Sequence, residues 1–166
     1  MVGSGPLAQS LRWLAAELRI GRKVLWLGDR EARGLYAAFD VFAIASCKEG
    51  LPYVVLEAIS AGLPIVATAS AGVEILVSPN QNGAVVQMGD ASAFADALLS
   101  ILRDPDRRAR YSQASRHKSK QFTIERMVSQ TLAAYHDAFG RGIAFEPPAM
   151  LDDETPVLAV AEGEMS

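Results

Sequence analysis

Four strand-length runs in this chain, residues 23–27, 41–45, 64–68 and 84–87, are apolar almost throughout, and helix-patterned segments separate them. A strand with one wet face alternates apolar and polar residues, whereas a strand covered on both faces does not. Strands of the second kind pair in parallel, with helices crossing over both faces. The expected fold class is therefore α/β, a parallel sheet with helices on both sides.

The intervening segments carry helix and turn chemistry. Leu7, Leu11, Leu14, Ala15 and Leu18 recur at helical spacing over residues 7–19, after a Gly3-Ser4-Gly5-Pro6 turn that places Pro6 at a first helical position. Residues 31–38 read as a short helix. Residues 52–61 read as another, with Pro52 at its first position and Gly62 as its stop. A helical turn over residues 72–77 precedes the Asn80-Gln81-Asn82-Gly83 turn. Asp90, the Asp104-Pro105 pair and Thr123 open three further helices, over residues 91–103, 105–119 and from 124 to a stop at Gly140. Residues 1–140 are thus expected to form one domain. Pro147, Pro148 and a thin acidic run mark residues 141–166 as a disordered tail.

Composition narrows the function classes. The chain has 166 residues, half of them apolar, and a net charge of −3, which gives no overall attraction to nucleic acid. Residues 141–166 hold one arginine against six acids, a net of −5, which leaves +2 for residues 1–140. Cys47 is the single cysteine, which excludes an internal disulfide and fits a reducing compartment. There is neither a membrane-length apolar run nor a basic-then-apolar leader, so the expected location is cytoplasmic.

The chemistry concentrates between Glu49 and Glu57. No lysine or arginine occurs between Glu49 and Arg103, and from Gly50 to Val73 the only charged side chain is Glu57. An ionised carboxylate among valine, leucine and isoleucine needs hydrogen-bond partners. With no cation close in sequence, the expected donors are hydroxyl groups, which a sugar supplies. Glu49-Gly50-Leu51 falls between a strand and a helix, where open α/β sheets bind ligands. A helix N-terminus also suits phosphate. Glu57 lies five residues past Pro52, roughly 7.5 Å along the axis, with its Cβ directed back toward the helix start. A nucleoside diphosphate there would bring a hydroxylated ring to Glu57, and Glu49 would face a second one. The bland alternative, of equal weight on spacing alone, makes Glu57 an ordinary helix glutamate at a solvated edge, bonded to backbone.

An ordered series of motifs resembles the E-x7-E retaining glycosyltransferases of the GT-B fold, the family 4 group. It runs from Val2-Gly3-Ser4-Gly5-Pro6 through Val24-Leu25-Trp26-Leu27-Gly28, Leu35-Tyr36 and Asp40-Val41-Phe42. Ala45-Ser46-Cys47-Lys48-Glu49-Gly50-Leu51-Pro52, Leu56-Glu57-Ala58 and Gly62-Leu63-Pro64-Ile65-Val66-Ala67-Thr68 follow. Ala71-Gly72-Val73-Glu74, Asn82-Gly83 and Phe122-Thr123-Ile124-Glu125-Arg126-Met127 complete it. The resemblance implies a Rossmann-like donor-binding domain for a nucleotide-diphosphate sugar. Glu57 would hold the ribose hydroxyls, and Glu49, as the catalytic residue, the donor hexose. The Gly50 and Leu51 amides would take the diphosphate. The base would lie near Gly28, with Gly3 close to the donor. No metal and no cofactor are implied.

The chain departs from the family where Pro usually precedes the serine at Ser46, and where Gly-Gly usually stands in place of Ala71-Gly72. The family's phosphate-neutralising Arg and Lys, and its acceptor domain, lie upstream of the Val-Gly-x-Gly-Pro segment with which this chain begins. The expectation is therefore an N-terminally truncated domain that lacks a central strand and transfers no sugar alone. Residues 23–27 would form a buried strand without its normal neighbour, and the edge of residues 41–45 would lie open. The intact enzyme would pass a hexose to a glycan or lipid-linked acceptor. A non-catalytic nucleotide-sugar fragment, or a split-gene subunit that needs a partner, is the alternative.

Other signals weigh less. Gly3-Ser4-Gly5-Pro6-Leu7-Ala8 with Asp29 fits the dinucleotide fingerprint of an NAD-binding oxidoreductase. Cys47 reads as a small packing residue. His117 and His136 read as surface or capping residues, remote from the site. Arg103, Arg107, Arg108, Arg110, Arg116, Lys118 and Lys120 read as a solvated helix face, with peripheral contact to the inner face of an anionic membrane as the functional alternative.

Overall fold

The computed structural model describes residues 1–47 and 50–139. Three strands form one parallel sheet in the order β1 (Phe42–Ile44), β2 (Ile65–Thr68), β3 (Gly83–Val86). Phe42 pairs with Ile65 across the first ladder, and Ile65 with Gly83 across the second. Six α-helices accompany them among the described residues: α1 (Ala8–Glu17), α2 (Tyr53–Ser60), α3 (Ala71–Leu76), α4 (Ala91–Leu102), α5 (Pro105–Ser119) and α6 (Ile124–Phe139). Contacts divide the chain into one unit through Arg126 and a second from Met127. Most of α6 belongs to the second. The expected boundary at residue 140 and the acidic tail lie outside the described residues.

The central strand explains the layering. All four residues of β2 are buried, and they point alternately to two sides. Ile65 and Ala67 join Val55, Ala58 and Ile59 of α2 and Val73 and Leu76 of α3 in one cluster. Val66 joins Ile101 of α4 and Tyr111 of α5 in the other, with Phe94 and Leu98 against it. Each fully buried branched side chain contributes about 1.5–3 kcal/mol. Helices therefore cover both faces, as the apolar strand pattern implies.

Local chemistry sets most boundaries. Gly62, at φ +82°, ends α2, and its amide donates to the Ile59 carbonyl while Leu63 donates to Ala58. Asp90 accepts from the Ala93 amide at 2.8 Å, Asp104 from Arg107 at 2.9 Å and Thr123 from Arg126 at 3.2 Å. The three expected caps are all made. Gly83 serves packing: a Cβ there would lie 2.1 Å from the Ile65 carbonyl oxygen, so any side chain would push β3 off β2.

Several expectations need correction. Residues 23–27 form no ladder strand. Gly21–Lys23 is a turn of 3₁₀ helix, Val24 is extended, and Leu25 is exposed. The segment also has a neighbour, because the Leu27 amide donates to Met1 O at 2.9 Å and Gly3 donates to Gly28 O at 2.8 Å. The run over residues 41–45 shortens to Phe42–Ile44 and is only half-buried, with Ala43 exposed. Its ladder starts only where β2 starts, and among the described residues no strand pairs its outer edge. Residues 31–38 yield a 3₁₀ helix over Arg33–Ala38. Pro6 lies in a turn ahead of α1 rather than at its first position, and the apolar stripe of α1 buries only Ala15.

Asn82 illustrates how polar groups secure the β3 approach. Its side chain is 1 % exposed, accepts from the Ser78 amide at 2.7 Å and donates to the Leu76 carbonyl at 3.1 Å. Asn82→Ala orphans both backbone groups and should cost about 1–3 kcal/mol, read as a lower urea midpoint with the slope unchanged. An unshifted midpoint would refute that role.

Candidate functional site

Because β1 and β2 are adjacent and parallel, the loops leaving their carboxyl ends emerge side by side. Thr68 at the end of β2 donates through Oγ1 to the Ser46 carbonyl at 2.6 Å, which joins the two loop bases. Ser70 then takes the N-cap position of α3, which begins at Ala71. Gly72, in the first turn of α3, lies directly against the other loop: a Cβ there would sit 1.8 Å from Gly50 O and 2.9 Å from Leu51 Cα. Only glycine allows this approach. The Ala71-Gly72 pair is a family departure in sequence terms, but its second position retains the residue that the packing requires.

The Gly50–Leu51 loop feeds α2. Pro52 is the N-cap rather than the first helical residue, because its ψ of 103° is extended. Its carbonyl accepts from Val55 at 3.0 Å and Leu56 at 3.2 Å. Among the described residues, none accepts from the Leu51, Tyr53 or Val54 amides. Open space lies beside Gly50, since nothing comes within 4 Å of where its Cβ would be. The Ser70 hydroxyl is buried and has no hydrogen-bond partner among the described residues. Unclaimed amides at the positive end of a helix, with an unclaimed hydroxyl on the adjacent loop, form a constellation suited to an anion rich in acceptor oxygens.

Glu57 is not isolated as its sequence surroundings imply. The Tyr36 hydroxyl donates to its Oε2 at 2.8 Å, and Arg33 Nε lies 3.7 Å from its Oε1. Arg33 also lies 3.8 Å from Glu31. The Glu57 side chain keeps 36 % of its surface, so the carboxylate is both anchored and accessible. Tyr36 is 4 % exposed and packs edge-on against Phe39. Burial, followed by the Glu57 carboxylate that it bonds and faces, pushes its phenol above the ordinary range. Tyr36 and Arg33 carry no acid-base signature in sequence. The only signal for Tyr36 is its place in the Leu35-Tyr36 motif.

Glu49 lies outside the described residues, so its expected role has no geometry here. Gly3 and Gly28 come together, at φ +117° and +65°, joined by the Gly3 amide and Gly28 carbonyl. Nearby, Ser4 Oγ donates to Asp29 at 3.0 Å. Among the described residues no hydrogen bond or ion pair links this pair of turns to Glu57. Cys47 is exposed rather than packed. His117 is on α5 and His136 on α6. Among the described residues there is no group of three metal-ligating side chains, and no helix is long and apolar enough to cross a membrane.

Residues 1–118 match the profile of the family described as glycosyl transferases group 1. The chain is 30 % identical over 139 residues to an N-acetyl-alpha-D-glucosaminyl L-malate synthase of Bacillus anthracis, covering 82 % of this chain and 36 % of that protein. It is 34 % identical over 144 residues to a D-inositol 3-phosphate glycosyltransferase of Stackebrandtia nassauensis, covering 83 % and 32 %. It thus spans about a third of the length of these curated relatives. In fold it is similar to HepE of Anabaena, solved with UDP-glucose, at a TM-score of 0.74 and 24 % identity, covering 83 % of this chain and 40 % of that one.

The Tyr36–Glu57 bond has a pH signature. The native phenol is raised above its unfolded value of about 10, so its stabilising contribution is full below that pH and is lost as pH rises toward the native value. The urea midpoint should fall with pH above about 10 and fall less steeply in Tyr36→Phe. Parallel slopes for the two proteins would contradict the assignment.

Proposed function

The chain belongs to the glycosyl transferases group 1 family, and from that premise we propose that residues 50–57 bind the nucleoside diphosphate of a nucleotide-sugar donor. The observation that carries this reading is the start of α2. Its Leu51, Tyr53 and Val54 amides have no acceptor among the described residues, and Gly72 packs against the loop that precedes it. The amides of Gly50 and Leu51 take the diphosphate, with the helix dipole adding to the attraction. Glu57, oriented by Tyr36, accepts from the ribose hydroxyls through its exposed surface. Glu49 takes hydroxyls of the donor hexose, the base lies near Gly28, and Gly3 lies close to the donor.

In the whole protein a hexose passes to an acceptor hydroxyl of a glycan or lipid-linked molecule. We assign the subgroup as the E-x7-E family 4 type and the outcome as retention. The Glu49–Glu57 spacing supports that assignment. Catalysis there is electrostatic: donors placed around the departing diphosphate stabilise the charge it gains. No lysine or arginine occurs between Glu49 and Arg103, so cations from outside this stretch complete the site, without a resident cofactor or metal. The reading places the protein in the cytoplasm.

The outer edge of β1 favours a second reading, a donor-binding module that needs a partner for transfer. A cavity of about 470 Å³ lies along that edge, between Phe42 and Ile44 on one side and Met1, Val2 and Leu27 on the other. Unpaired strand edges take up additional strands.

Calorimetric titration with UDP and GDP tests the first reading. Glu57→Ala should weaken binding of the preferred nucleotide by about 1–3 kcal/mol, the scale of a hydrogen bond to a charged group. A variant that is less stable but binds as tightly as the parent would leave Glu57 a structural partner of Tyr36 and remove it from the site.

A further inference from the structure

The basic run of residues 103–120 is not one uniform face. Arg107 pairs with Asp104 at 3.5 Å and Arg108 with Asp40 at 3.7 Å. Arg116 lies along Gly62, close enough that a Cβ there would sit 2.4 Å from its Nε. Arg110, His117 and Lys118 are placed differently. They follow one another on a single side of α5 and face the turn after α3, with Gln113 and Gln121 beside them and Gln81 opposite. The groove so formed has a volume of about 640 Å³, and among the described residues no carboxylate lines it. Among the described residues no ion pair engages Arg110, His117 or Lys118. Lys118 donates to Ser78 Oγ at 2.9 Å, which pins its ammonium in the groove and leaves two N–H donors. Asn82, locked to the Ser78 amide and the Leu76 carbonyl, fixes the opposite wall.

We propose that this groove binds a phosphate group. Arg110 brings a planar fork of donors suited to phosphate oxygens. Lys118 adds a fixed point charge, and the glutamine amides and the imidazole add further donors from both walls. A solvated helix face has no reason to converge with a hydrogen-bonded turn anchored by the buried Asn82. Arg110 feels Asp104 only through space, without an ion pair, whereas Arg107 and Arg108 are paired. The groove lies on α5 and the turn before β3, and it shares no residue with the start of α2. The phosphate has two sources of the same chemistry, a soluble phosphorylated molecule or a phospholipid headgroup.

Amide spectra of the full chain, titrated with inorganic pyrophosphate, should shift at Gln81, Gln113, Ala114 and Gln121. In the second arm, the protein should sediment with vesicles of phosphatidylcholine and phosphatidic acid at 7:3, but not with phosphatidylcholine alone, if the source is a headgroup. Arg110→Gln with Lys118→Gln should weaken whichever binding occurs at least tenfold, while Arg22→Gln with Lys23→Gln, of equal charge change, should leave it within twofold. Arg110→Gln alone, which keeps the Lys118–Ser78 bond, should lie between. The proposal is overturned by pyrophosphate shifts confined to residues 50–56, by equal losses in the two double variants, or by binding in neither arm.

Discussion

The site depends on one close approach, Gly72 of α3 against the carbonyl of Gly50. It is available because β2 is buried on both faces and hydrogen-bonded on both edges, so the loops leaving β1 and β2 start from fixed, adjacent points. The Thr68–Ser46 bond then holds those points together, and the missing side chain at Gly72 lets the second loop support the first. The amides at the start of α2 are consequently presented by packing as well as by the Gly50-Leu51-Pro52 sequence itself. Exposed donors without an acceptor among the described residues are what the proposed anion site calls for, because packing that already orients them leaves little reorganisation when ligand arrives.

Glu57 shows how a sequence argument can describe a residue's surroundings incompletely. In sequence it stands alone among apolar residues, which suggests a carboxylate waiting for an external partner. In the fold its burden is shared: Tyr36 crosses from the preceding 3₁₀ turn to bind one oxygen, and Arg33 approaches the other from a distance too long to saturate it. The result is an oriented carboxylate with over a third of its surface exposed. Orientation by an internal donor and availability to an external one are compatible, since each carboxylate oxygen accepts more than one hydrogen bond.

Features written in local chemistry were legible in the sequence. The unbroken apolar run before Thr68 predicts a doubly covered strand, Gly62 predicts the stop of α2, and Asp90, Asp104 and Thr123 predict caps, because each depends on near neighbours only. Features that depend on distant residues were not. Residues 23–27 have the composition of a buried strand, yet among the described residues Leu25 is left exposed, and their partner is the first three residues rather than a sheet. Cys47 resembles a packing residue by type and is exposed by position. Tyr36 meets Glu57 across 21 positions, a distance over which no periodicity carries information. The sorting of the basic run into paired arginines and a convergent trio is likewise set by where Asp40, Gly62 and Ser78 fall in space.

The most direct test is a crystal structure of the protein with UDP or GDP bound. The account predicts diphosphate oxygens within hydrogen-bonding distance of the Gly50 and Leu51 amides, with the ribose hydroxyls on Glu57 and the Tyr36 bond kept. A diphosphate at the turn of residues 3–6 instead, with the ribose on Asp29, would contradict it and restore the dinucleotide reading.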